Sequence, residues 1–378
     1  MSHRGAFSTK KAKSIASALA RDKAFAEFDD IVATRRRTTS ISTGSPTLDL
    51  AIGIGGWPLA RLSILHGGEA TGKTTIALEA VAQWQRAGGV VLYADVEHAL
   101  DLDYLARVVP DPEGIILTHP PYIEKGFELF AAFIDRARAA SVDAPLLIVL
   151  DSLQAWPAMR TFNGEYDRQD YGPEANAYSR VLRKFTPKLS TSNTAMIAIS
   201  QVRTKMDGWG NSKEKVGVGQ APLFYASVIA DVKSKTLRGT TAEGVTGNHL
   251  RVRVVKNKVA PPFRTAEFEI IFGKGFDRVR ALVDCAKTIG VARALKGKIL
   301  WTIDGAKADA SGRAYEWAAD DLSSLLVKAP DLYDGLFDHV HDLLVARPDL
   351  IAVEVDASPA EIDLDAPPAD APEDEGDA

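Results

Sequence analysis

From residue 60 to about 275 the chain alternates short apolar runs with longer amphipathic stretches, the mark of strands followed by helices. Leu62-Ser63-Ile64-Leu65-His66 reads as a buried strand. Thr74 to Arg86 reads as a helix, with Ile76, Leu78, Ala80, Val81 and Trp84 available for apolar faces. Val90 to Ala94 is a strand ending at Asp95, Glu124 to Ala140 a helix, and Leu146 to Leu150 a buried strand ending at Asp151. Pro173 to Leu189 is helical, although Pro187 should end or kink it, because proline lacks the N–H of the helix ladder. Ala195 to Ile199 is a further strand, ending at Ser200 and Gln201. Val228 to Lys233, Leu250 to Lys256 and Glu267 to Ile271 alternate more, like antiparallel edge strands. The whole predicts an α/β fold, a mostly parallel twisted sheet with helices on both faces.

This core is expected over 38–277. Ahead of it, in 1–37, Lys10, Lys11, Lys13, Arg21 and Lys23 alternate with Ile15, Ala16, Leu19, Phe25 and Phe28, a basic amphipathic helix that the core does not need. It has three possible uses: packing on its own subunit, on a membrane or on a neighbouring subunit. Behind the core, 278–345 reads as a small α/β lobe whose first part is basic. From 346 to 378 Asp, Glu, Pro and Ala dominate, as in a disordered acidic tail.

Composition narrows the class. An apolar fraction of 46% and a charged fraction of 25% are those of an ordinary soluble protein. No apolar run is long enough for a bilayer and no signal peptide opens the chain, so the expected location is cytoplasmic, with no membrane partner. The single cysteine, Cys285, excludes an intrachain disulfide. It stands among Leu282, Val283 and Ala286 and reads as a small buried residue, not a nucleophile. The net charge of −5 conceals an asymmetry. Ten of the 50 acidic residues lie between Glu354 and Ala378 with no basic residue among them, which leaves 45 basic against 40 acidic groups elsewhere, or +5. A basic body suggests an anionic partner for which the tail competes; a tail that merely solubilises is the plainer alternative.

The chemistry centres on Gly67-Gly68-Glu69-Ala70-Thr71-Gly72-Lys73-Thr74, which fits G-x-x-x-x-G-K-[ST], the phosphate-binding P-loop. Glycines let successive N–H groups turn toward phosphate oxygens, Lys73 reaches the β- and γ-phosphates, and the Thr74 hydroxyl holds Mg²⁺. A chance glycine-rich turn would not need a strand before it and a helix after it. Ligands of parallel sheets bind beyond the carboxyl ends of the strands, and the other strand ends carry Asp95-Val96-Glu97-His98, Asp151-Ser152 and Ser200-Gln201. Asp151 is a candidate to hold Mg²⁺ through its waters, its alternative being a cap on the next helix. Glu97 stands where a carboxylate can orient water against the γ-phosphate, its alternative being a surface ion pair. Gln201 offers a neutral amide to the γ-phosphate. Two connections, Met159 to Asn176 and Arg203 to Pro222, are too long and polar for ordinary turns. The first holds Arg160, Tyr171, Gly172 and Asn176. The second holds Arg203, Lys205, Trp209, Lys213, Lys215 and Gly219. Cations interleaved with an aromatic and glycines suit single-stranded nucleic acid, and a lid over the nucleotide is the alternative.

Together these residues resemble the bacterial RecA recombinase family, from about residue 10 to about 340. The resemblance rests on Ile41-Ser42-Thr43-Gly44-Ser45, the P-loop, Asp95 to Asp101, Leu150-Asp151-Ser152, Gln201-Val202-Arg203, Phe224-Tyr225-Ala226-Ser227 and Val254 to Lys258 followed by Ala260-Pro261-Pro262-Phe263. It implies a core of RecA type that binds ATP and Mg²⁺, forms a homo-oligomeric helical filament on single-stranded DNA and pairs it with homologous double-stranded DNA. Loading or mediator proteins are further partners it implies. Glu97 would activate the attacking water. Tyr104 would stack on adenine with Asp101 near its amino group, and Thr75 would complete the nucleotide-binding set. Gln201 would report the γ-phosphate to the second loop. Lys256 and Lys258 would reach the neighbouring subunit's nucleotide as cations acting in trans. The two polar stretches, together with Arg183 on the intervening helix, would bind DNA, and the N-terminal helix would dock on the next subunit. The departures are specific. Leu223 stands where the family carries a positive side chain, Val228-Ile229-Ala230 where it has an arginine, and Gly68-Glu69-Ala70-Thr71 where it has Pro-Glu-Ser-Ser. Met206 takes the place of an aliphatic wedge between base triplets, and Trp209, Gly210 and Lys213 are unusual in the second loop. These mark a divergent member, of the kind a phage could carry. The competing readings are a ring-forming P-loop motor, which predicts closed rings, and a non-catalytic filament protein, against which Lys73, Glu97 and Asp151 argue.

Overall fold

The computed structural model describes residues 39–140, 143–164, 172–206, 212–216, 219–238, 244–295, 298–301, 315–318 and 330–346. The basic helix expected over 1–37, and the acidic tail from 347 on, lie outside them. Within them a ten-stranded sheet carries the core. After a short pair, β1 (Ser40–Ile41) and β2 (Trp57–Pro58), come β3 (Leu62–Gly67), β4 (Val90–Asp95), β5 (Ile115–Thr118), β6 (Leu146–Asp151), β7 (Thr194–Met206) and β8 (Ser212–Val216). The sheet is completed by β9 (Val228–Arg238), β10 (Val245–Asn257), β11 (Thr265–Ile271) and β12 (Gly275–Phe276). The spatial order is β12-β11-β10-β9-β3-β7-β6-β4-β5, with β8 paired to β7. From β9 to β5 neighbours run parallel, and from β9 outward through β10, β11 and β12 they run antiparallel.

The continuous apolar runs make sense because the parallel strands are covered on both faces. Alternate residues go to two different cores. Leu65, Val91, Tyr93, Leu147, Val149, Ile197 and Ile199 pack with Ile76, Leu78, Val81 and Trp84 of α2 (Lys73–Arg86) and with α1 (Pro46–Ile52). Ile64, Leu92, Ile148, Leu150, Met196 and Ala198 pack with Phe127, Phe130 and Phe133 of α4 (Ile123–Ala140) and with Leu182, Phe185 and Leu189 of α6 (Pro173–Ser190). Each such buried side chain contributes about 1.5–3 kcal/mol, so the sheet's central strands are fixed from both sides. Between these helices lie α3 (Leu102–Val108) and α5 (Met159–Phe162), and α7 (Ala221–Tyr225) precedes β9.

A third cluster forms behind the sheet. α8 (Arg278–Thr288), β13 (Ala292–Leu295), β14 (Lys298–Trp301), β15 (Tyr315–Ala318) and α9 (Pro330–Ala346) surround Leu282, Ile289, Ile299, Trp301 and Val340. Leu50 of α1 belongs to this cluster too, and the Cys285 thiol, fully buried here, donates to Pro46 O.

Three expectations differ from what is observed. α6 runs through Pro187 to Ser190. Pro187 stands in the last turn, the helix ends three residues on, and the Pro187 carbonyl accepts from Ser190 Oγ at 2.8 Å and Thr191 Oγ1 at 3.2 Å. The stretch 203–222 is not a plain loop. β7 continues to Met206 and pairs antiparallel with β8, after which α7 begins at Ala221. The stretch 159–176 likewise holds the short α5, ahead of the helix that begins at Pro173 as expected. Charge and glycine content mark both stretches as unusual connections but do not report backbone pairing.

Candidate functional site

A cavity of about 500 Å³ opens at the carboxyl end of the parallel strands. The turn from β3 to α2 forms its floor. Gly67 has φ 152° and a Cβ there would stand 2.3 Å from Val232 O; Gly72, which precedes α2, has φ 92° and a Cβ 2.8 Å from Ile270 Cδ1. Both positions exclude larger residues, so the tight turn depends on glycine. Glu69 to Thr75 line the cavity, joined by Glu97 after β4, Asp151 at the end of β6 and Gln201 in β7.

The side chains are mutually engaged. Thr74 Oγ1 donates to Asp151 Oδ2 at 3.0 Å, and Tyr93 OH donates to the same oxygen at 3.0 Å. Burial pushes the Asp151 carboxyl up to about 6, against these two hydrogen bonds, which pull it down. Lys73 is buried and its ammonium donates to Gly68 O and, at 3.4 Å, to Thr71 Oγ1. Burial lowers its proton affinity, while Asp151, Glu97 and Glu69 oppose that. Glu97 Oε1 accepts from Ser152 Oγ and, at 2.8 Å, from Gln201 Nε2. Three carboxylates, Glu69, Glu97 and Asp151, and one cation, Lys73, thus line one cavity.

Tyr104 of α3 lines one side, its hydroxyl 3.0 Å from Thr75 Oγ1. Asp101 does not line the cavity. It is exposed and caps α3, accepting from Asp103 N at 2.9 Å and Tyr104 N at 3.0 Å. Part of the lining has no counterpart among the sequence candidates: Asn248 of β10 and Ile270, Phe272 and Gly273 at the end of β11. Phe272 is 52% exposed, an apolar ring left open at the cavity mouth. An exposed aromatic followed by Gly-Lys-Gly after an alternating strand is the only local signal for it.

Lys256 and Lys258 lie elsewhere. Lys256 Nζ donates to Leu223 O and to Phe224 O at 3.2 Å, and Lys258 Nζ to Phe224 O at 3.0 Å. They cap the carbonyl end of α7, and neither lines the cavity of its own chain. Burial, with Lys258 adding to it, lowers Lys256 to about 8. Leu223 is buried in the sheet core, so that position projects inward here.

Of the candidate nucleic-acid residues, Tyr171 and Trp209 lie outside the described residues. Gly172 precedes α6, with φ 65°, and Asn176 is in its first turn. Arg183 is exposed further along α6. Gly219, with φ 74°, approaches Ala175 so closely that a Cβ would stand 2.7 Å from it, so the two polar stretches meet at that point. In the β7–β8 hairpin Arg203 is opposite Lys215, Lys205 opposite Lys213 and Met206 opposite Ser212.

Comparison with known proteins agrees in kind. The model of the RecA N-terminal domain matches residues 17–277. The chain is 39% identical to Protein RecA of Frankia casuarinae over 333 residues, covering 88% of this chain and 91% of the relative. It is also 39% identical to Protein RecA of Frankia alni over 361 residues, 93% and 98% of the two chains. Protein RecA of Wolinella succinogenes is 42% identical over 247 residues, 65% and 68% of the two.

Proposed function

The chain belongs to the RecA family, and from that premise we propose how its residues do the family's work. It is a DNA-dependent ATPase of recombination and repair, which forms filaments on single-stranded DNA and exchanges strands with a homologous duplex. The cavity between P-loop and β11 takes the nucleotide, which we assign as ATP. Tyr104 and Phe272, both in the cavity lining, receive the base, and Lys73 meets the β- and γ-phosphates. Among the described residues no three His, Cys, Asp or Glu side chains gather as a metal cage. Thr74 Oγ1 and Asp151 Oδ2, 3.0 Å apart, are two hard oxygen donors, the set suited to Mg²⁺, which keeps most of its waters. The ion would neutralise phosphate charge. Glu97, held by Ser152 and Gln201, orients the attacking water. Lys256 and Lys258 serve a neighbouring subunit's nucleotide across a head-to-tail interface that need not close.

The observation that carries this reading is that Gln201 belongs to two structures at once. Its side chain bonds Glu97 in the nucleotide cavity, and its backbone starts the extension of β7 whose hairpin carries Arg203, Lys205, Lys213 and Lys215. Loss of a γ-phosphate contact at Gln201 therefore reaches the DNA-binding strands directly. No described helix is long and apolar enough to cross a membrane; we place the protein's work in the cytoplasm because its partner is DNA. The test is ATP hydrolysis with and without single-stranded DNA, with the same samples viewed by electron microscopy. DNA-stimulated turnover and helical filaments are expected. DNA-independent turnover or closed rings would move the protein to a ring-forming motor.

A further inference from the structure

Gln201 is held by a residue to which nothing above gives a role. β6 and β7 pair only as far as Leu150 opposite Ala198, and Leu153 N then donates to Ile199 O at 2.9 Å. Gln201 itself is paired with no strand on this edge among the described residues, yet its backbone N–H and C=O are both bonded. Gln154 Oε1 accepts from Gln201 N at 2.9 Å, and Gln154 Nε2 donates to Gln201 O at 2.9 Å. A side-chain amide has the donor and acceptor geometry of a peptide, so it forms one more rung of the ladder where the strand has ended. On the opposite edge Gln201 is in register with Gly67, the first residue of the P-loop.

The rung is tied deeper. Gln154 Nε2 also donates to Ser200 Oγ at 2.8 Å, and Ser200 Oγ lies 3.3 Å from His66 Nδ1. Ser200 and His66 are both wholly buried. Burial, with Lys73 adding to it, lowers His66 to about 4, so the imidazole is neutral, and its Nδ1 shares a hydrogen bond with Ser200 Oγ. A continuous set of bonds thus runs from the strand that ends in the P-loop, through Ser200 and Gln154, to the residue that bonds Glu97.

We propose that Gln154 is a positioning residue, which fixes the Gln201 backbone so that its side chain meets the γ-phosphate while its strand continues into the hairpin. This rests on the nucleotide reading above. Gln154 does not line the cavity and touches no reacting atom; it acts through Gln201.

The test is a double-mutant cycle on the full chain with Mg²⁺, measuring affinity for ADP and for a non-hydrolysable ATP analogue. Gln154→Met keeps length and bulk and removes the amide. It should lower the preference for the triphosphate about tenfold, the worth of a buried hydrogen bond to a charged group, and leave ADP affinity within about twofold. In the Gln201→Ala background the same change should cost nothing further. Equal losses for ADP and the analogue, or losses that add in the double variant, would overturn the proposal, as would a wild-type protein with no triphosphate preference. If Gln154→Met does not fold, Gln154→Glu, which keeps the acceptor for the Gln201 N–H, goes through the same cycle. DNA-stimulated turnover of the wild type is measured alongside. Its absence would remove the recombinase reading while the nucleotide cycle still decides on Gln154.

Discussion

Two cavities of similar size lie in this molecule, and their linings separate a reactive site from a structural seam. The first, about 500 Å³, is the nucleotide cavity. The second, about 460 Å³, lies where β1 and α2 meet α8 and α9, lined by Ser40, Gln83, Arg86, Arg278, Tyr333 and His341 among others. Both hold perturbed groups. Asp151 in the first and Asp49 beside the second are each raised to about 6, chiefly by burial. Yet the seam's polar groups are spent on one another. Arg278 bonds the wholly buried Glu79 at 2.7 Å, Asp49 accepts from Ser42 Oγ at 2.5 Å and Thr43 N at 2.7 Å, and His341 Nε2 lies 2.8 Å from Gly55 O. In the first cavity Lys73, Glu97 and Asp151 all face the open volume. A shifted acid marks function only where its neighbours leave it something to bind.

The contrast can be broken by experiment. Lys73→Ala should reduce ATP turnover at least about a hundredfold without altering thermal stability, since it removes charge stabilisation from transfer; turnover that survives, measured by phosphate release, would sink the cavity assignment. Arg278→Ala strands Glu79 and should destabilise the fold by about 3 kcal/mol, read by denaturant titration, while nucleotide affinity of the folded protein holds. A loss of affinity would mean the seam is not merely structural. Asp49 sharpens the comparison through pH. Its folded value lies above its ordinary 3.8, so folding takes up a proton. The resulting stability is complete below about 3.8 and disappears as pH rises through about 6. The groups facing it are Ser42, Thr43, His341 and Cys285. Asp49→Asn should flatten the thermal midpoint between pH 4 and 7, by on the order of 1–3 kcal/mol, with turnover unchanged. Smallest is Trp209→Ala, which should weaken single-strand binding about tenfold and leave both cavities' behaviour alone, because stacking on a base involves neither.

What the sequence made legible was local. A strand, a glycine turn and a helix are contiguous, so the P-loop floor could be read from residues 62–86, and Asp151 and Gln201 announced themselves as polar residues ending apolar runs. The β11 part of the lining could not be read. Ile270 and Phe272 reach the cavity only because β11 lies beyond β10 and β9, and no spacing in the chain encodes that folding-over. By pattern Tyr93 is one more apolar strand residue, yet its hydroxyl holds Asp151. Gln154 was invisible for the same reason: its partner is 47 positions away, and an amide gives no periodic signal. The hairpin of β7 and β8 was hidden by its own charges, which mimic the composition of a loop.

The place of β3 in the sheet has a consequence for biosynthesis. Both neighbours of this strand come later in the chain, with Ser63 opposite Ile197 on one edge and Val228 on the other. A nascent polypeptide that has emerged only as far as α4 carries the whole P-loop sequence but neither of the strands that flank β3 in the sheet. Nucleotide binding must therefore be acquired abruptly, once β9 has left the ribosome, and a chain arrested earlier would present an unpaired apolar strand to its surroundings.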